Sequence, residues 1–353
     1  MSSQPPPRIP IWVDCDPGSL ITKQDAFAIL LATNHPTIHL LGISTVHGNS
    51  TLKNTTRNAL TILTILNRPD IPVYPGAEKP FCRTCLKPDN GKTGLEGSNL
   101  PVPTTSPEEK HAVLAMRDAL LSTPKHTAWL VALGPLTNVA LLVGLFPEVA
   151  GHVRGVSIMG GAVGGGFVWK NKEGGEEGRM GNASWWAEFN CLCDPESARA
   201  VFSNKTLVGK ITLLPLDITH MAMVTDEVLD LMLHGPDGNV KGKRDVPSER
   251  RRIFTDLLRW FRAGYKKAQN IDGPLHDPLA VAVILHTEGV EDIGFEFLGE
   301  ERFEVELVLE GEQVGRTVVR RLPDGEMGVR IPRVLDVQSF WRVLERAVAL
   351  GDE

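Results

Sequence analysis

Strand-like apolar runs recur along the chain, and a helix-like pattern follows almost every one. Residues 11–13 lead to 25–32, 40–46 to 51–66, and 128–133 to 136–145. Residues 156–159 run into a glycine-rich loop with a helical stretch at 194–202 beyond it, and 211–215 precede 225–233. Neighbouring parallel strands need a long crossover between them, usually a helix, so this alternation limits the fold more than any other feature. It predicts an α/β protein with an open, mostly parallel central sheet and helices on both faces. A smaller C-terminal region, 297–334, reads as strands with turns at Glu310-Gly311-Glu312 and Pro323-Asp324-Gly325, closed by a helix over 337–350. No repeat and no linker divides the 353 residues. One domain is expected over 1–353, with 1–8 as a flexible tail.

In open α/β sheets ligands bind beyond the carboxyl ends of the strands. Asp14 and Asp16, Asn49, Thr137 and the loop after Met159 fall there. A net charge of −6 argues against nucleic acid or an anionic membrane as partner. No run of 18 apolar residues suggests a membrane span, and residues 1–10 lack the apolar stretch of a secretory signal, so a cytoplasmic protein is expected. Cys15, Cys82, Cys85, Cys191 and Cys193 then read as free thiols. Cys82-x-x-Cys85 paired with Cys191-x-Cys193 is the zinc alternative, with a second spacing tighter than common zinc knuckles have.

Three familiar motifs fail. Gly91-Lys92-Thr93 resembles the end of a phosphate-binding loop, but Leu86 stands where the first glycine belongs. The glycine run 160–166 does not match the dinucleotide fingerprint, and no Gly-x-Ser-x-Gly occurs. Acids are better placed. Asp14 and Asp16 end the first strand-like run and Asp25 heads the helix-like run after it, a layout that suits a hard divalent cation. His276-Asp277-Pro278 opens another apolar helix. Asp277 there reads either as a helix cap ahead of proline or as a third acid of the same site. Asn182, Glu188 and Asn190 lie within nine residues and offer amide and carboxylate groups to sugar hydroxyls. Gly134-Pro135-Leu136-Thr137-Asn138 turns from a buried strand into a helix.

Together these segments resemble the nucleoside hydrolases of the inosine/uridine-preferring type, with the fungal uridine and purine nucleosidases among them. Thr45-Val46-His47-Gly48-Asn49, Ile158-Met159-Gly160-Gly161-Ala162, Asp194-Pro195-Glu196, Leu216-Asp217-Ile218-Thr219-His220 and Gly315-Arg316-Thr317 extend the resemblance over most of the chain, in the family's order. The resemblance implies a Rossmann-like fold, one bound calcium ion, and hydrolysis of ribonucleosides to ribose and free base by a metal-bound water. It implies Asp16 as metal ligand and general base, Asp25 and Asp277 as further ligands, and Thr137 as a ligand through its backbone carbonyl. Asn49, Asn182, Glu188 and Asn190 would then hold the water or the ribose hydroxyls. His276 would face the leaving base, and Asp14 would support the site from behind. A small-molecule nucleoside substrate, a role in nucleoside salvage and a homodimer or homotetramer complete what it implies.

One segment departs from the family's Asp-x-Asp-Pro-Gly-x-Asp-Asp-Ala. Four extra residues lie between Gly18 and Asp25, and the first acid of the pair is Gln24, preceded by Lys23. Gln24 can take a ribose hydroxyl only as a neutral partner. Losing a charge-assisted bond costs about 1.5–3 kcal/mol, or about ten- to a hundredfold in affinity or rate. Asn90 stands where many relatives carry histidine. Two readings stay open on these residues: an active calcium-dependent hydrolase, and a weakened or inactive homologue with a binding or structural role.

Overall fold

The computed structural model describes residues 8–18, 24–86, 100–165, 167, 179–236 and 246–351. Ser19–Lys23 of the altered acid-rich segment, the tail up to residue 7, Asn90 and the Gly91-Lys92-Thr93 motif lie outside them.

Six strands form the central sheet: β1 (Ile9–Cys15), β2 (Ile38–Thr45), β3 (Val73–Pro75), β4 (Trp129–Ala132), β5 (Gly155–Met159) and β6 (Ile211–Leu214). They are all parallel, in the order β3-β2-β1-β4-β5-β6. The chain builds outward from β1 to β3, returns to β4 on the other side of β1, and builds outward again to β6. Crossovers therefore diverge between β1 and β4, and a crevice is left at the carboxyl ends of those two strands. The expected α/β architecture is what the chain adopts. An antiparallel pair, β7 (Phe303–Leu307) and β8 (Thr317–Arg321), makes the C-terminal region.

Among the described residues, twelve α-helices flank the sheet: α1 (Gln24–Asn34), α2 (Leu52–Ile65), α3 (Ala112–Ser122), α4 (Thr137–Leu145), α5 (Pro147–His152), α6 (Phe189–Cys193), α7 (Pro195–Phe202), α8 (Leu216–Thr219), α9 (Asp226–His234), α10 (Glu249–Gln269), α11 (Pro278–Thr287) and α12 (Val337–Ala349). No helix among the described residues is long and apolar enough to cross a membrane.

Strand side chains alternate between faces, and β1 shows the consequence. Ile11, Val13 and Cys15 enter a core with α1, α2 and α9–α12, while Trp12 enters a second core with α3–α5, α7 and β7. Both faces are covered, so β1 is apolar throughout until Asp14. Helices α1 and α11 are buried almost all round and pack on each other. Phe27, Ile29, Leu30 and Leu31 of α1 are fully buried, each worth about 1.5–3 kcal/mol of transfer free energy. This packing fixes the N-terminal ends of the two helices, with Gln24-Asp25 on one and His276-Asp277 on the other, at the sheet's crevice.

Candidate active site

Asp14 and Asp16 lie at and just beyond the end of β1, both fully buried. Asp14 faces the α3–α4 side. Its Oδ1 accepts from Ser44 Oγ at 2.5 Å and Asn138 Nδ2 at 2.8 Å, while Oδ2 has no partner. Burial pushes its carboxyl up to about 7, against the lowering effect of those two donors. Asp16 Oδ2 accepts the Asn49 main-chain N–H at 2.7 Å, and Oδ1 has no partner. Two glycines make room for this carboxylate. A Cβ on Gly48 would stand 2.0 Å from Asp16 Oδ2, and one on Gly134 would stand 2.9 Å from its Oδ1. Asn58 of α2 donates to the Pro17 carbonyl at 2.9 Å and so holds the chain just after Asp16.

Asp25 meets Asp16 from the head of α1. Its Oδ1 accepts the Asp16 main-chain N–H at 3.2 Å, and its Oδ2 is buried without a partner. Burial is the main cause that lifts its carboxyl to about 7, with Asp14 nearby adding to it. Asp277 occupies the cap position of α11, but its backbone is helical and its side chain makes no capping bond. Capping needs an extended backbone at that residue. The cap reading of Asp277 is therefore corrected: the carboxylate is buried and free for another partner. Burial, then Asp25, then Glu188 hold its pKa well above the usual range. His276 is also buried. Its Nδ1 meets Thr219 Oγ1 at 2.6 Å and its Nε2 meets the Tyr265 hydroxyl at 2.9 Å. Burial holds the imidazole neutral. The Gln24 carbonyl accepts the His276 main-chain N–H. Phe261 is core, packed on Tyr265 at 4.9 Å.

The third wall comes from β4 and the loop before α6. Thr137 Oγ1 donates to Asp194 Oδ2 at 2.6 Å and contacts His47 Nε2 at 3.0 Å. Asp194, the cap of α7, also binds Ser197 and the Phe81 N–H. Glu188 caps α6, accepting from Asn190, Gly161 and Cys191 main-chain N–H groups at 2.9, 3.0 and 3.1 Å. Asn190 Nδ2 donates to the Leu133 carbonyl at 2.8 Å, so it ties α6 to the end of β4. Asn182 Oδ1 accepts the Phe189 N–H at 2.9 Å. Asn49 and Asn182 are half-buried, the remaining candidates buried.

All the acids and amides named from the sequence are thus gathered at the crevice, apart from the undescribed Asn90. Sequence reasoning missed Asn138, Asp194, Thr219 and the Tyr265 hydroxyl. Asn138 donates to Asp14 and the Thr45 carbonyl and accepts the Ala77 N–H at 2.8 Å. All five cysteines are free, Cys82 and Cys85 exposed and the others buried.

The description of the family whose model matches residues 11–342 is "Inosine-uridine preferring nucleoside hydrolase". The chain belongs to that family. The pyrimidine-specific ribonucleoside hydrolase RihA of Shewanella sp. (strain MR-7) is 37% identical over 282 residues, 78% of each chain. The uridine nucleosidase of Saccharomyces cerevisiae is 32% identical over 362 residues, 98% of this chain and 97% of its own. Among solved structures, the purine-preferring ribonucleoside hydrolase from Gardnerella vaginalis superimposes with a TM-score of 0.77 at 24% identity, covering 97% of this chain and 99% of its own, which establishes the shared fold.

A nucleoside hydrolase is a hydrolase of the N-glycosidase type, acting on small-molecule nucleosides, and the family is metal-dependent. The residues at the crevice fit a hard cation. Free oxygens remain on Asp16 and Asp25, and Asp277 caps nothing, so hard oxygen donors are available. Burial and mutual repulsion raise the pKa of Asp16, Asp25 and Asp277, the signature of carboxylates gathered without a counter-charge. Among the described residues no three His, Cys, Asp or Glu side chains already converge at ligating distance. The donors are therefore close neighbours rather than a closed cage.

Proposed function

We propose that the protein hydrolyses pyrimidine ribonucleosides, uridine foremost, to ribose and free base, with calcium as its metal. One observation carries this reading: Asp16 is locked by the Asn49 amide on one oxygen and free on the other, beside the free oxygen of Asp25. The names of the pyrimidine-specific and uridine-cleaving relatives support the substrate.

Asp16, Asp25, Asp277 and the Thr137 carbonyl hold the ion, which when bound supplies a Lewis-acid centre that acidifies water and orients hydroxyls. Asp16 takes the proton of the attacking water. Asn49, Asn182, Asn190 and Glu188 orient water and the ribose hydroxyls. The carboxylate charge favours the positive charge that builds on the sugar as the glycosidic bond lengthens. Water arrives opposite the departing base, so the anomeric carbon inverts. His276, neutral and held by Thr219 at Nδ1, supports the base through the Tyr265 hydroxyl on its Nε2. Asp14 holds the end of β1 through Ser44 and Asn138. The chain works as one domain, in a cytoplasmic homodimer or homotetramer.

The test is ribose release from uridine, cytidine, inosine and adenosine with calcium and with chelator. Calcium-dependent release, fastest from uridine, is expected. Gln24 in place of an acid favours the second reading, a homologue that binds without turnover. Nucleoside binding with no ribose released from any of the four would establish that one.

A further inference from the structure

Gln24 stands where the family carries an acid, and its carbonyl oxygen is already engaged. It accepts the main-chain N–H of His276, joining the start of α1 to the residue before Asp277. The His276 ring sits in a chain of hydrogen bonds. Thr219 Oγ1 lies 3.4 Å from the Leu216 carbonyl and 2.6 Å from His276 Nδ1, and the Tyr265 hydroxyl lies 2.9 Å from Nε2. A neutral imidazole has one N–H, and both ring nitrogens are held, by Thr219 and Tyr265, so any help the ring gives the leaving base passes through the Tyr265 hydroxyl. A carboxylate at position 24 could accept the same His276 main-chain N–H.

We propose that Gln24 is a positioning residue for His276 rather than a ribose contact. Its side-chain carbonyl holds the His276 main chain, and with it the ring, in place. This rests on the reading that His276 serves the leaving base. Removing the acceptor should therefore harm only substrates whose leaving group needs help. In Gln24→Met, kcat/KM on uridine should fall about ten- to a hundredfold, the loss of a buried N–H partner. On 4-nitrophenyl riboside, whose phenolate departs unaided, it should fall by less than about threefold, since no hydrogen bond to the leaving group is lost there. Gln24→Glu, which keeps the acceptor, should recover most of the uridine rate. A parallel fall on both substrates in Gln24→Met, or a rise on both above wild type in Gln24→Glu, overturns the proposal, because a ribose contact serves both substrates alike. Histidine-selective nitrogen-15 spectra, with His276→Gln to assign the signal, give a readout apart from activity. Gln24→Met should shift the His276 ring signals and Gln24→Glu should keep them near wild type; unchanged signals in Gln24→Met overturn the proposal. Wild-type protein that cleaves neither substrate with calcium would remove the proposed function instead, and the spectra would still test whether Gln24 positions His276.

Discussion

Gly48→Ala tests how tightly the pocket holds Asp16. The new Cβ would stand 2.0 Å from Asp16 Oδ2, 2.9 Å from its Cγ and 2.9 Å from Pro135 Cδ. Ordinary contact begins at 3.4 Å, so the oxygen must retreat by about 1.4 Å. The 2.7 Å bond from the Asn49 N–H cannot survive that shift. A hydrogen bond to a charged group is worth about 1.5–3 kcal/mol. A reacting group misplaced by about 1 Å costs on the order of a hundredfold in rate. The two estimates agree, and kcat/KM on uridine should fall about a hundredfold, roughly 2.7 kcal/mol of barrier. The assay is ribose release at saturating calcium, with circular dichroism melts to confirm folding. Gly144→Ala is the control, because a Cβ there meets nothing within 4 Å, and in helix α4 it should leave activity unchanged. Gly48→Ala with kcat/KM within about threefold of wild type would refute a carboxylate pinned against Gly48, since the hydrogen-bond loss alone predicts more.

Asn138→Leu removes the donor to Asp14 and the Thr45 carbonyl and the acceptor of the Ala77 N–H. Asp14 keeps Ser44 and the Thr45 carbonyl keeps the Gly76 N–H, so the Ala77 N–H is the group left unpaired, and urea unfolding should show a loss of about 1–3 kcal/mol. Lys210 donates to the carbonyls of Ala150, Gly151 and Val153 at the end of α5, at 2.9, 3.0 and 2.9 Å. Lys210→Met should cost about 1–3 kcal/mol by the same measurement, as a charged donor lost to a helix C-terminus does. Burial pushes the His220 imidazole down to about 4 from its ordinary value of 6.5. The unfolded chain therefore takes up a proton that the folded chain refuses, so its stabilising contribution is full above pH 6.5 and is lost as pH falls towards 4. Buried Asp14, raised to about 7, acts in the opposite sense. The difference in urea stability between wild type and His220→Gln, followed from pH 7.5 to about 4.5, isolates the histidine and should shrink as pH falls.

The fold was legible because each crossover pairs an apolar strand run with a periodic helix, as in Leu40–Thr45 running into α2 behind its Thr51 cap. Helix α3 escaped that alternation, since the three-residue β3 before it is too short to register as a strand. Asp14, Asp16 and Asp25 were legible because acids closing a buried strand and opening a buried helix have no structural excuse. Asp277 was ambiguous: Asp-Pro at a helix start reads as a cap, and only its helical backbone angles, −61° and −42°, exclude capping. Glu188 shows the reverse, a residue read as a contact for water or ribose that the Asn190 and Cys191 N–H groups claim as a helix cap and the Gly161 N–H also binds. Asn138 and Asp194 were silent because their partners lie far along the chain, Asp14 for one and Thr137 for the other. Gln24 looked like a lost ribose contact. That its carbonyl faces His276, 252 residues away, is a tertiary fact that no local pattern carries.

The central claim is that the free oxygens of Asp16 and Asp25, with Asp277, hold a calcium ion. Calorimetric titration of chelator-stripped protein with calcium chloride tests it most directly. One ion per chain should bind to the wild type, and Asp25→Asn or Asp277→Asn should weaken it by about a hundredfold or more, the cost of removing one charged ligand of roughly 3 kcal/mol. Wild-type protein that binds no calcium, or variants that bind it as tightly as wild type, would contradict the account.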